Sequence, residues 1–242
     1  MRTNNSGTRW LLFVFFCVLS SCQARGEPPS VVVWDKPFMT PAEAESIGRF
    51  EVAIVDVENA ANNPELLSLM KMMNPKIVLI ASINLTGTKM PIGSFRPIQR
   101  ELIGRINASK ADFWLKDAAG EPVYDPREGG VYVFNVSADS PLNRKHSGYI
   151  DFAADFYTSI IFSGGAWSGF KIEDSWNRVI EEAVSGRYAK EFGVGGQDSN
   201  IDADADGQPD DIVKLVMAWR KGVEDFIELM KAKNGQSFVA IK

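Results

Sequence analysis

The chain has 242 residues, a net charge of −5 and a single histidine, His146. An acidic balance supplies no basic field for nucleic acid, and one histidine excludes multi-histidine metal sites and leaves little basis for a Ser-His-Asp triad. Of the two cysteines, Cys17 falls in an amino-terminal apolar run, so a processed chain keeps only Cys22. That excludes an internal disulfide and thiolate zinc sites, and leaves acid–base chemistry to carboxylates.

Arg2 and Arg9 precede an unbroken apolar run at residues 10–19, of signal-peptide rather than membrane-spanning length. Leu19-Ser20-Ser21-Cys22 then places small side chains ahead of a cysteine. Small residues admit the backbone to a signal peptidase that cuts before cysteine, and the freed thiol carries the acyl chains. Residues 1–21 are therefore read as a lipoprotein signal, Cys22 as the lipidation site and residues 22–29 as a tether. The expected localisation is extracytoplasmic, lipid-anchored to a bacterial membrane in the periplasm or at the cell surface. The roughly 220 residues beyond the signal suffice for one hydrophobic core.

Past the tether, strands and helices alternate. Residues 30–34 form a β-branched first strand. Thr40-Pro41-Ala42-Glu43 opens a helix, with Thr40 as N-cap, Pro41 at the first helical position and Glu43 closing a capping box. Residues 52–57 form a second strand, and Asn63-Pro64-Glu65 begins a helix that runs to Asn74-Pro75. Residues 77–83 are nearly all apolar, as in a strand buried on both faces. A long polar stretch follows, then a fourth strand at 131–136. Helical spacing over 149–162, a fifth strand at 169–174, a helix at about 211–232 and a sixth strand at 238–241 complete the order.

This alternation implies crossover connections and a parallel sheet. A doubly wound open sheet and a (β/α)8 barrel both satisfy it. Trp34-Asp35-Lys36-Pro37 stands where a dinucleotide-binding fold has its Gly-rich loop. The expected architecture is therefore α/β, a TIM-type (β/α)8 barrel over residues 30–242, cut short after about six strands.

Polar residues end successive strands: Trp34 and Asp35, Asp56 and Glu58, Asn84, Asn135, then Glu173 and Asp174. In a parallel barrel these converge on one mouth. Asp56 and Glu58 share strand parity. Phe170 and Ile172 suit the layer beneath the helices, which turns Lys171 and Glu173 inward, with Glu173 nearest the mouth. An inward Lys171 is expected to pair with Glu173 or Asp56. Taken singly, most of these carboxylates are better read as helix caps or surface charges, and Glu173, between an apolar strand and Ser175-Trp176, is the one for which a site role stands level.

Asn74-Pro75-Lys76-Ile77-Val78-Leu79, Asn135-Val136-Ser137 and the run from Trp167 through Lys171-Ile172-Glu173-Asp174-Ser175 to Trp176 resemble landmarks of a glycoside-hydrolase-like barrel family. That family is similar to endo-α-1,4-polygalactosaminidase-type barrels. Its hallmark resembles Asp-Gly-Val-Phe-Leu-Asp at the end of a middle strand. The resemblance implies that the final acid of that motif falls on Glu173 and that Asp56 matches an acid after the second strand. Here Glu stands in place of the hallmark Asp, and Lys171 in place of an apolar or aromatic residue. Glycoside hydrolysis requires two carboxyl groups flanking the scissile bond, so Glu173 and Asp56 are the catalytic candidates. Trp34, Asn84, Asn135, Asp174 and Trp176 are the substrate-binding candidates, and Trp114 is a further ring that could stack on a sugar.

Asp202, Asp204, Asp206 and Asp210 occupy positions 1, 3, 5 and 9 of a calcium-type loop with Gly207 at the sharp turn, and these four with Gln208 are the metal-ligand candidates. Position 12 is Val213, so the loop resembles the shorter Asp-rich calcium loops of extracellular proteins rather than a complete EF-hand. The alternative is a solvated acidic turn that caps the last helix through Asp210 or Asp211. His146 lies in a polar loop and is read as an exposed residue. Two functions compete: a glycoside hydrolase acting on an extracytoplasmic poly- or oligosaccharide, and a lipid-anchored carbohydrate-binding barrel without catalysis. A fragment with no function of its own is the third reading. No organic cofactor is expected, and the expected partners are a carbohydrate and, through the lipid, a membrane.

Overall fold

The apolar runs read from the sequence assemble into one parallel sheet. The computed structural model describes residues 29–125, 130–161, 164–173, 200–234 and 239–241. The expected signal, Cys22, nearly all of the tether, Asp174 and Trp176 lie outside the described residues. No helix among the described residues is long and apolar enough to cross a membrane.

Strand β1 (Val31–Trp34) leads through α1 (Pro41–Ile47) to β2 (Val52–Asp56). A short turn of helix, α2 (Asn59–Asn62), and α3 (Pro64–Met73) lead to β3 (Val78–Asn84). An insertion follows, containing β4 (Gly87–Lys89), α4 (Pro97–Ser109), β5 (Lys116–Asp117), β6 (Tyr124–Asp125) and β7 (Val131–Val133). Helix α5 (Tyr149–Ile161) then leads back to β8 (Gly169–Glu173), and β9 (Ile201–Asp202), α6 (Ile212–Asn234) and β10 (Val239–Ile241) complete the order.

The sheet runs β1-β2-β3-β8-β10, each neighbour pair parallel. Each new strand joins on the same side, with no reversal of order. Among the described residues the sheet is open, with β1 and β10 at its edges, and no sheet closes into a barrel. The capping box of α1 forms as its sequence requires: Thr40 Oγ1 accepts from the Glu43 amide at 3.3 Å, and Glu43 Oε2 accepts from the Thr40 amide at 2.8 Å.

The expected fourth strand is a correction. Only Val131–Val133 is extended, and it pairs antiparallel with both β4 and β6, which leaves β3 directly beside β8. The cause is local. Tyr132 packs on Tyr124 and Trp114 with centroids 5.0 and 5.8 Å apart, and Trp114 stacks on Phe134 at 4.9 Å. These aromatic partners all come from the insertion, so 131–134 is satisfied there rather than in the main sheet. The polar stretch before it also contains α4, whose Ile98, Leu102, Ile103 and Ile106 are buried on one face.

Alternation divides the sheet's two faces. Ala53, Val55, Leu79, Ala81, Ile83, Phe170 and Ile172 enter the main core with the helices, where Phe226 of α6 meets Phe170 edge-on at 5.8 Å. The opposite face carries a smaller cluster of Val52, Ile54 and Ile80. Asp56, Ser82, Lys171 and Glu173 follow the parity of that second face and lie toward the carboxyl ends of the strands. Helix α6 reaches the insertion through Gly222: a Cβ there would collide with the Val136 carbonyl oxygen.

Candidate active site

Register brings the carboxylates together. Asp56 pairs with Ser82 across β2 and β3, Ser82 pairs with Lys171 across β3 and β8, and Glu173 stands two positions further on the same face. The Ser82 hydroxyl donates to Glu173 Oε1 at 2.6 Å, which fixes one oxygen of that carboxylate. Asp56 is buried at the end of β2. Its Oδ1 accepts from the Glu58 amide at 2.9 Å, and its Oδ2 meets Arg96 Nη1 at 3.1 Å. Burial pushes the Asp56 carboxyl above its ordinary range, and the negative charge of Glu173 adds to that push. The Glu58 amide and the Arg96 guanidinium oppose it without cancelling it. Asp56 is therefore a carboxyl that holds a proton more readily than a free one.

Glu58 does something different from what strand parity implied. The strand ends at Asp56, and Glu58 turns away to the amino end of α4, where Oε2 accepts from the Ile98 amide at 2.8 Å and Oε1 from the Gln99 amide at 2.9 Å. It is a helix-capping carboxylate, buried and supplied from another element. Tyr157 lies buried near these acids and donates to the Asn84 carbonyl at 2.8 Å. Burial first, and then the charges of Glu58, Asp56 and Glu173, hold its hydroxyl far above the ordinary tyrosine range. It keeps its proton and serves as a fixed donor.

Other candidates from the sequence are distributed through the molecule. Asn84 Oδ1 accepts from the amides of Thr86 and Gly87 at 3.1 and 3.3 Å, which closes the turn after β3. Asn135 lies in the insertion, where it donates to the Ala203 carbonyl at 2.9 Å and so ties the Asp-rich loop to the fold. Trp34 follows the parity of Val55, on the helix-covered face, and its indole donates to the Phe38 carbonyl at 3.1 Å. Trp114 belongs to the aromatic packing of the insertion. Lys171 has no ion pair within 4.0 Å among the described residues, and the cation on Asp56 is Arg96 instead. His146 is exposed at the end of the turn Asn143–Lys145. Two participants were not anticipated, Ser82 and Arg96. Strand parity with Asp56 and Glu173 marks Ser82; Arg96 is signalled only as the residue before the Pro97 that starts α4.

A second acidic group lies in the loop between β9 and α6. Ligand oxygens of Asp202, Asp204 and Asp206 lie within 4.8 Å of one another, a spacing that could hold a metal ion. Asp202 is buried, and its two oxygens accept from the amides of Asp206 and Gly207 at 3.1 and 2.9 Å. Ala205 and Gly207 adopt positive φ (58° and 83°), which curls the loop around these oxygens. Asp210 Oδ2 accepts from the Ala203 amide at 2.6 Å, and Gln208 contributes its amide to Asp206 Oδ1 at 2.8 Å. Burial raises the carboxyls of both Asp204 and Asp210, with the neighbouring acids adding to it. The cap of α6 is Asp211, whose Oδ1 accepts from Val213 and Lys214 at 3.0 Å each. Capping and a metal-type cluster are thus separate features of one segment. The donor set, oxygen only and acidic, fits a hard divalent cation.

No family model matches the chain, and no curated protein matches it.

Proposed function

We propose that the chain is a glycoside hydrolase that acts on an extracytoplasmic poly- or oligosaccharide through the carboxyl pair Asp56 and Glu173. The observation that carries this reading is their placement on one sheet face at the carboxyl ends of parallel strands, with the charge of Glu173 raising the proton affinity of buried Asp56. A glycosidic bond breaks when one carboxyl protonates the leaving oxygen while another supports attack at the anomeric carbon. Asp56, biased toward its protonated form, is the proton donor. Glu173, oriented by Ser82, activates water or attacks directly.

The sequential order of the parallel strands supports a (β/α)-barrel-type arrangement, since a doubly wound sheet reverses its order at a switch point. In the same reading Cys22 carries a lipid that keeps the chain at a membrane outside the cytoplasm, and the loop at 202–210 binds Ca2+. The ion is structural there: the loop joins β9 to α6 and is tied to the insertion through Asn135.

The test is reducing-end release from a panel of polysaccharides by the wild type, Asp56→Asn and Glu173→Gln. Each variant should lose activity by roughly 10²–10⁴-fold while staying folded, with the melting temperature of Asp56→Asn lowered because its ion pair with Arg96 is broken. Activity retained in either variant removes that residue from the pair, and no cleavage by the wild type removes the hydrolase reading. A non-catalytic carbohydrate-binding protein is the second reading, favoured by one observation. Both oxygens of Asp56 and one of Glu173 are engaged by the chain's own groups. Glycan binding that survives Glu173→Gln in a chain that never cleaves would select it.

A further inference from the structure

Phe38 and Phe95 come from loops far apart in sequence, yet their ring centroids lie 5.0 Å apart at a tilt of 43°. Both are open to solvent, at 42% and 57% exposure. Single exposed apolar residues are ordinary on protein surfaces. A pair whose backbones are held this firmly is less so. Asn62 Nδ2 donates to the Pro37 carbonyl at 2.7 Å and to the Phe95 carbonyl at 2.8 Å, so one amide joins the two loops. The Trp34 indole holds the Phe38 carbonyl, Asn59 Nδ2 holds the Lys36 carbonyl at 2.8 Å, and Asn63 Oδ1 accepts from the Met39 amide at 3.1 Å. Side chains therefore hold the backbone at each of residues 36 to 39. Rings carried on a backbone already held in place leave less conformational entropy to lose on binding.

The position of the pair follows from its neighbours. Phe38 lies just past the carboxyl end of β1, the strand paired with β2. Phe95 immediately precedes Arg96, whose guanidinium meets Asp56 at 3.1 Å. The loops that carry the two rings therefore border the carboxyl group assigned above as proton donor. Two rings are far too small for a stable protein interface, which needs about 800 Å² on each partner. They match the size of a sugar. A pyranose presents C–H groups on one face, complementary to the electron-rich face of an aromatic ring, and keeps its hydroxyls hydrated at the edge.

We propose that Phe38 and Phe95 form a stacking subsite for a pyranose ring of a glycan chain that extends outward from Asp56. The inference rests on the carbohydrate reading of the site and adds to it a binding position on the rim. The test uses the full chain carrying Glu173→Gln to block turnover, with calorimetric titration of cello-, malto-, xylo- and galactosamine-hexaose and the matching disaccharides. Phe38→Ala and Phe95→Ala should each weaken binding of the hexaose that the unaltered background binds best by about tenfold. Binding of its disaccharide should be unchanged. Phe95→Leu, which stays apolar but loses the flat face, should weaken as Phe95→Ala does, whereas Phe95→Trp should preserve affinity. In the Glu173 wild type the same Phe variants should raise KM and leave kcat in place.

Hexaose affinity unchanged in all the Phe variants overturns the subsite alone, because the background still binds. Full rescue by Phe95→Leu overturns it too, since that marks a general apolar contact. Flotation with phosphatidylglycerol vesicles that is lost in the Phe variants while glycan affinity holds would reassign the pair to a lipid surface. Absence of binding and cleavage for every saccharide in wild type and background overturns both the subsite and the reading beneath it.

Discussion

Glu58 offers the sharpest test of how the site is held. Pro97 occupies the first position of α4 and has no N–H to satisfy, while Arg96 supplies no side-chain cap. The amides of Ile98 and Gln99 therefore depend on the two oxygens of Glu58. Glu58→Ala strands both donors. Ile98 is buried, so its amide bears the full cost of about 1–3 kcal/mol, and the half-exposed Gln99 adds a smaller share through partial hydration. Relief of a buried negative charge beside Asp56 offsets part of this, because burial and the Asp56 charge both raise the Glu58 carboxyl above its ordinary range. A net loss of about 1–3 kcal/mol follows, a fall of roughly 2–12 °C in melting temperature for a chain of this size. Glu58→Gln keeps the volume and one acceptor, and should cost about 1 kcal/mol or less. The sign of the pH dependence is fixed by the raised proton affinity. Folded Glu58 holds its proton to higher pH than unfolded Glu58, so its contribution is complete below the unfolded value of 4.5 and drains away as pH rises through the folded one. The gap between wild type and Glu58→Ala should therefore narrow with rising pH. Scanning calorimetry across pH measures the gap, and amide exchange at Ile98 and Gln99 locates it. A loss below about 0.5 kcal/mol, a gap that widens with pH, or unchanged protection of those two amides would refute the capping argument.

The remaining predictions concern the scaffold. Gly222→Ala should destabilise by at least about 1 kcal/mol, although alanine ordinarily favours a helix interior over glycine by a similar amount. The new methyl meets the Val136 carbonyl, and a melting temperature that rises instead would show that α6 stands off from the insertion. Calcium titration should raise the melting temperature of the wild type, by about 2.7 kcal/mol of stability at a hundredfold excess over Kd. Asp202→Ala should abolish that rise, and an equal rise in the variant would remove the loop as the binding site.

Much of the main sheet is written in local pattern. Residues 52–55 and 78–81 are apolar on both faces, and such runs have no stable place except the middle of a covered parallel sheet. Parity then sets direction: with Phe170 and Ile172 in the core, Glu173 must stand on the opposite face, and it does. Parity fails where a strand stops. Glu58 shares the parity of Asp56, yet the strand ends at Asp56 and the chain turns at Val57-Glu58, and the destination of its carboxylate depends on a helix about forty residues ahead. The run Val131-Tyr132-Val133 is as β-prone as any in the chain, but alternation does not say which strand it pairs with. That choice belongs to Trp114 and Tyr124, whose rings come from a stretch that reads as merely polar.

That insertion explains why a helix capped by a buried carboxylate stands so near the site. Between β3 and β8 a simple crossover needs one helix, and α5 supplies it. Helix α4 is additional, and its amino end faces Glu58 while the residue ahead of it, Arg96, grips Asp56. One short connection, Asp56-Val57-Glu58, thus holds the same helix start twice, once through a cation and once through two amides. The consequence is mechanical. A backbone movement that draws Arg96 off Asp56 would also pull the Ile98 and Gln99 amides from Glu58. The proton affinity of Asp56 and the placement of Phe95 are therefore coupled to the stability of α4. Removing Glu58 should disturb the carboxyl pair without touching either member of it.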